Sequence, residues 1–147
     1  CIRLQLRPHF FLNAMTTISS LSMQGQNDNI KKFVDVLSKN IRYMFKSGMH
    51  TVPLAEEMQN VQYYYEMQEL RYPNSVFYCS EHDNEDDNWP IPQMLIHTVV
   101  ENIYKHTVSV DSMITILVQA KRCEYKGLPM LCISIPKRFT IGQPSIF

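Results

Sequence analysis

Two apolar stripes at helical spacing, parted by a polar turn, constrain this chain more than any other feature. Ile2, Leu6, Phe10, Asn13, Thr17 and Leu21 fall along one line of a helix, and Leu4, Phe11 and Ile18 widen it. Residues 25–29 interrupt the pattern with Gly25 and polar side chains, and Asn27 or Asp28 can cap the second helix. The period resumes through Ile30, Phe33, Val34, Leu37, Ile41, Met44 and Phe45. The spacing predicts helices over 2–24 and 30–46, folded back on each other as an antiparallel hairpin. The stripes are too wide for one hairpin to bury, so a second copy or another layer must cover them.

A linker at 48–52 leads to Pro53, which suits the start of a third helix because its missing N–H is harmless there. Glu56 and Glu57 fall where the helix dipole favours acids, and Arg71 falls where it favours bases. Tyr63, Tyr64 and Tyr65 cannot share one face, so at least one must be exposed or touch a neighbouring element. Residues 75–80 read as a strand. The acidic stretch 81–88 reads as a solvated loop rather than a metal site. A fourth helix is expected over 92–107, with Leu95, Val99 and Ile103 facing a core. Residues 113–120 and 129–135 read as strands joined by a hairpin around Lys126-Gly127.

Zero formal net charge argues against a bulk nucleic-acid binder, and no apolar run is long enough to cross a bilayer. The sequence opens on Cys1, so it is expected to be an excerpt of a longer chain. Cys1, Cys79, Cys123 and Cys132 show no closely spaced metal-type pairs and read as reduced thiols in a cytosolic setting.

Two short segments carry chemistry. Pro8 stands inside the first helical pattern, where a proline removes a backbone hydrogen bond at a cost of roughly 3 kcal/mol. His9 follows it directly, and Asn13 lies one turn further on the same face. A kinked core helix with a hydrogen-bonded histidine explains the same residues. The second segment is Glu101-Asn102-Ile103-Tyr104-Lys105-His106. Asn102 and His106 are one turn apart and share a polar face with Thr98. An amide oxygen is a hard neutral ligand for magnesium, a lysine is a point charge for phosphate, and Glu101 is a candidate general base. An exposed polar helix face is the alternative.

Taken in order, Leu6-Arg7-Pro8-His9-Phe10-Phe11-Leu12-Asn13, Leu37-Ser38 with Ile41-Arg42-Tyr43, Val52-Pro53-Leu54 with Glu57 and Tyr65, Glu69-Leu70-Arg71-Tyr72, Ile91-Pro92 and Val99-Val100-Glu101-Asn102 with His106 resemble the LytS-type (YehU-type) sensor histidine kinases over residues 2–107. The resemblance implies an α+β fold. A dimerising helical hairpin of four-helix-bundle type (1–50) would carry the phosphoacceptor. An incomplete two-layer ATP-binding lobe (51–147) would come after it. The resemblance implies His9 as phosphoacceptor, Asn102 as magnesium ligand, and Glu101, Lys105 and His106 beside the phosphates of ATP. It further implies a homodimer, a response-regulator partner, and a cytoplasmic portion of an inner-membrane-anchored bacterial sensor whose membrane part lies upstream. Phe10, not an acid, comes directly after His9, so Asn13 is the candidate to orient the imidazole.

The sequence departs from the family after Ile135. An Asp-x-Gly-x-Gly stretch for the adenine is expected there, and Pro136-Lys137-Arg138-Phe139-Thr140-Ile141-Gly142 stands in its place. Three functional readings therefore remain: an ATP-dependent histidine autokinase, a non-catalytic kinase-like dimerisation and docking module without an adenine pocket, and a generic helical adaptor.

Overall fold

The computed structural model describes residues 8–46, 50–107 and 112–141 of the 147. The side chains of residues 8, 9, 107, 112 and 137–141 fall outside that description. Helices α1 (Pro8–Met23) and α2 (Asn27–Met44) come first. Strand β1 (Thr51–Pro53) leads into α3 (Leu54–Arg71). Strand β2 (Val76–His82), a 3-10 turn (Asn84–Asp86) and strand β3 (Pro90–Pro92) come next, then α4 (Leu95–Thr107) and strands β4 (Ser112–Tyr125), β5 (Leu128–Ser134) and β6 (Lys137–Ile141). The fold is α+β, as the order of periodicities predicts.

Helix α1 stops at a glycine cap. Gly25 adopts φ +71°, and the Gln26 N–H reaches back to the Leu21 carbonyl at 3.0 Å. Phe10, Ala14, Thr17 and Leu21 form its buried face. Helix α2 turns Phe33, Val36, Leu37, Asn40 and Tyr43 inward, and it packs more extensively on α3 than on α1. Helix α3 is thus a layer of the kind the wide stripes require. The bend expected at Pro8 depends on residues 2–7, which lie outside the described residues.

Each of the three consecutive tyrosines meets a different element. Tyr63 lies under the Lys39 ammonium of α2 at 4.8 Å. Tyr64 packs edge-on against His97 and Tyr104 of α4. Tyr65 stacks on Tyr78 of β2 with ring centroids 5.2 Å apart.

In the larger sheet β2 runs parallel to β4 on one side, and β5 and β6 run antiparallel to β4 on the other. Val76, Tyr78, Ile114, Ile116, Val118 and Ala120 point into the core by the two-residue alternation of a strand. The hairpin tip is Lys126-Gly127 with both φ positive, the two-residue turn that matches strand twist. Strands β5 and β6 lie end to end along β4 in one unbroken register, so β6 is a continuation that the sequence pattern did not reveal. Two further short strands, β1 and β3, pair as a small antiparallel ribbon where only linkers were expected.

Three expectations need correction. Leu95 and Val99 are exposed, because Ile96, Val100 and Ile103 set the inward face of α4. The acidic stretch is not wholly solvated: Asp86 is buried and accepts a hydrogen bond from Arg122 Nε of β4, whose guanidinium also stacks over Trp89. Cys123 and Cys132 are joined by a disulfide rather than free. The register sets Cys123 opposite Met130 and Cys132 opposite Lys121, so the two cysteines are diagonal neighbours on the outer face of the hairpin.

Candidate functional site

Helix α4 is held at its start by Glu57. Its fully buried carboxylate accepts from the backbone N–H of Met94 (3.1 Å), Ile96 (2.8 Å) and His97 (3.2 Å), and from the Tyr43 hydroxyl. The first N–H groups of a helix have no partner within it, and the dipole there favours an anion. The sequence pattern set Glu57 at the dipole of its own helix, whereas it serves the N-terminus of another. Gln93 Nε2 also donates to the Tyr43 carbonyl at 2.6 Å, so the end of α2 and the entry to α4 are tied twice.

From that anchor α4 divides its polar residues between two faces. Asn102 and His106 are exposed to solvent. Glu101 and Lys105 instead line a cleft of about 290 Å³ between α1, α3 and α4. Asn13 and Thr17 of α1 and Gln68, Arg71 and Tyr72 of α3 complete its polar and aromatic wall, with Phe33, Tyr64, Met67 and Tyr104 among the residues lining it. The structure therefore brings Asn13, Glu101 and Lys105 to one concavity and leaves Asn102 and His106 on the open flank. His9 stands one turn before Asn13 in α1, and its side chain lies outside the described residues.

Behind Glu101 sits a residue that the sequence pattern does not single out. His97 is fully buried, its Nδ1 is 3.5 Å from Glu101 Oε2, and its ring meets Tyr64 edge-on at 4.7 Å. Burial, and secondarily the charge of Glu101, raises the Tyr64 phenol above its ordinary range. Local pattern makes Arg71 no more than a helix-end cation. Its place in the cleft comes from the crossing of α3 and α4, which no local pattern encodes.

The exposed Asn102 amide could take a magnesium ion that travels with a polyphosphate. Among the described residues no group of three or more His, Cys, Asp or Glu side chains converges on a metal position. Magnesium in nucleotide sites keeps most of its water and takes only one or two protein ligands along with phosphate oxygens. Asn102 offers one such amide on the open flank of α4, while Lys105 lines the cleft. Where the resemblance leads one to expect Asp-x-Gly-x-Gly, β5 passes directly through Ile135-Pro136 into β6.

The family model described as histidine kinase matches residues 1–76. The chain is 28% identical to the "Sensor protein LytS" of Enterococcus faecalis over 125 residues, which is 82% of this chain and 21% of that protein. It is 30% identical to the "Sensor protein kinase HptS" of Staphylococcus aureus (strain USA300) over 112 residues, 76% of this chain and 21% of that protein. The chain belongs to the histidine kinase family, as a sensor kinase of LytS type. It spans about a fifth of the length of the curated relatives it matches. No helix among the described residues is long and apolar enough to cross a membrane.

Proposed function

We propose that this chain is the phosphoacceptor-bearing part of a two-component sensor kinase that phosphorylates His9 from ATP and passes the phosphoryl group to an aspartate of a response regulator. The observation that carries the reading is the shared cleft: Asn13, one turn from His9, lines the same concavity as Glu101 and Lys105. The kinship with sensor kinases favours this reading over a docking module.

An imidazole with its ordinary pKa of about 6.5 is largely neutral at pH 7 and can act as a nucleophile. The His9 ring nitrogen uses its lone pair to form an N–P bond. The bond from the γ-phosphorus to the bridging oxygen breaks, and its electron pair leaves with ADP. The second ring nitrogen then releases its proton, for which Glu101 of the cleft is the candidate acceptor. Asn13 holds the imidazole by its amide, and Lys105 faces phosphate oxygens. Asn102, with His106 beside it, would hold the magnesium that travels with ATP. Bound magnesium would neutralise phosphate charge in a loose transition state.

The exposed apolar side of the hairpin supports a homodimer of four-helix-bundle type. Leu12, Met15 and Met23 of α1 and Val34 of α2 stay exposed, with Phe45 just beyond the end of α2. The reading divides the chain into a dimerising region (1–50) and a nucleotide lobe (51–147), and sets it on the cytoplasmic side of a sensor.

The test is His9→Gln in the full-length protein. Acid-labile phosphate incorporation from ATP should disappear while the circular dichroism spectrum and melting temperature stay unchanged. Undiminished labelling of the variant would overturn the assignment.

A further inference from the structure

We propose that Arg71 is a phosphoryl-binding residue, and that its guanidinium and the Lys105 ammonium form a two-sided cationic seat in the cleft beside α1. The inference rests on the kinase reading and adds to it a residue from a helix that reading leaves idle.

Four observations carry it. Arg71 and Lys105 come from different helices and line one concave surface. Among the described residues neither has a carboxylate within ion-pair distance, so neither charge is neutralised by a neighbouring acid. The Arg71 guanidinium lies over the Tyr72 ring, 4.8 Å from its centroid, which restrains the fork before any ligand arrives. Asn13 and Gln68 add amide donors to the same wall.

A helix C-terminus attracts cations on its own account. That attraction explains a lysine or arginine on the solvent side equally well, and it does not explain why both line one cleft. Among the described residues that line the cleft, two cations, Arg71 and Lys105, stand with one carboxylate, Glu101. An arginine fork matches the oxygens of a phosphoryl group in a way an ammonium cannot. The ligand chemistry is a phosphoryl group, either carried by His9 or at the end of the bound nucleotide.

The experiment uses the full-length protein and its Arg71→Gln and Arg71→Lys variants. Binding of inorganic phosphate is measured by phosphorus-31 line broadening. ATP affinity and the rate of His9 labelling at saturating ATP are measured separately. Arg71→Gln should weaken phosphate binding about tenfold and Arg71→Lys roughly threefold, because the lysine keeps the charge and loses the fork. Melting temperatures within a few degrees of the parent would show that the fold is intact. Slower labelling with unchanged ATP affinity assigns the seat to the phosphoryl group at His9, and a matching loss of ATP affinity assigns it to the nucleotide's terminal phosphate. A parent that binds phosphate through Arg71 but never labels with ATP would sink the kinase reading and keep the seat. Phosphate binding by Arg71→Gln equal to that of the parent overturns the proposal.

Discussion

The Tyr43 hydroxyl donates to Glu57, a carboxylate closed off from solvent that also accepts three backbone N–H groups at the start of α4. One side chain thereby joins three helices. Replacing Glu57 by glutamine sets an amide N–H₂ against N–H donors, and at least one buried donor loses its acceptor. A hydrogen bond to a charged group contributes about 1.5–3 kcal/mol, so Glu57→Gln should lower stability by roughly 2–4 kcal/mol. Tyr43→Phe should lower it by about half as much. Chemical denaturation reads both, and equal midpoints for parent and Glu57→Gln would contradict the bridge.

Alkaline pH should unfold the protein through its tyrosines. Burial is the leading cause that raises the phenols of Tyr43, Tyr64, Tyr78 and Tyr104, with Tyr78 pushed up to about 12. The unfolded chain gives up these protons near pH ~10, while the folded chain holds them longer. Stability is therefore whole below that pH and is lost as pH rises through the folded-state values. The melting temperature should be level between about pH 7 and 9 and fall above pH ~10. The phenolate absorbance of the buried tyrosines should appear together with unfolding. A full phenolate titration near pH ~10 in a protein that remains folded would refute the burial argument.

The α1 face opposite the core should be the dimer contact. Leu12 and Met15 are more than half exposed, with Met23 along the same side. A double Leu12→Glu, Met15→Glu variant puts like charges on both copies of a two-fold interface. Light scattering should show the parent as a dimer at micromolar concentration and the variant as a folded monomer. Dimers of unchanged stability in the variant would move the interface elsewhere.

Asn102→Asp adds a negative charge beside a polyphosphate at an exposed position. Labelling from ATP should drop by about tenfold or more, with the melting temperature nearly unchanged, since no buried contact is lost. A variant that melts early without a selective loss of labelling would make Asn102 a structural residue.

Helix spans and the hairpin tip are legible in the sequence because they are written locally. Gly25, Pro53 and Lys126-Gly127 each satisfy a backbone need that neighbours in sequence define. Glu57, His97 and Arg71 are not legible, because their partners lie on other helices and no spacing along the chain encodes a crossing. A four-residue apolar repeat on α4 has two solutions, and spacing alone favours the one with Leu95 and Val99 inward. The one containing Ile96, Val100 and Ile103 wins by joining the buried core that Ile114 and Ile116 of the sheet also belong to. Asp86 looks solvated beside its acidic neighbours, although the residue that draws it inward, Arg122, is on a strand far along the chain. The disulfide depends on register alone, which a count of cysteines does not contain.

The register of β4 with β5 and β6 has a consequence for how this architecture can be enlarged. Leu117 N–H bonds the Pro136 carbonyl at 3.3 Å, but Pro136 has no N–H to return the bond. The ladder is already one rung short at the midpoint of a long two-stranded arm. A segment spliced in between Ile135 and Pro136 would leave both halves of the arm paired. If the splice kept β6 in its present phase, the pairing of 137–141 with 112–116 would be unchanged. The hairpin thus has a built-in port for a loop, at the position where kinases of this type are expected to insert the residues that grip adenine.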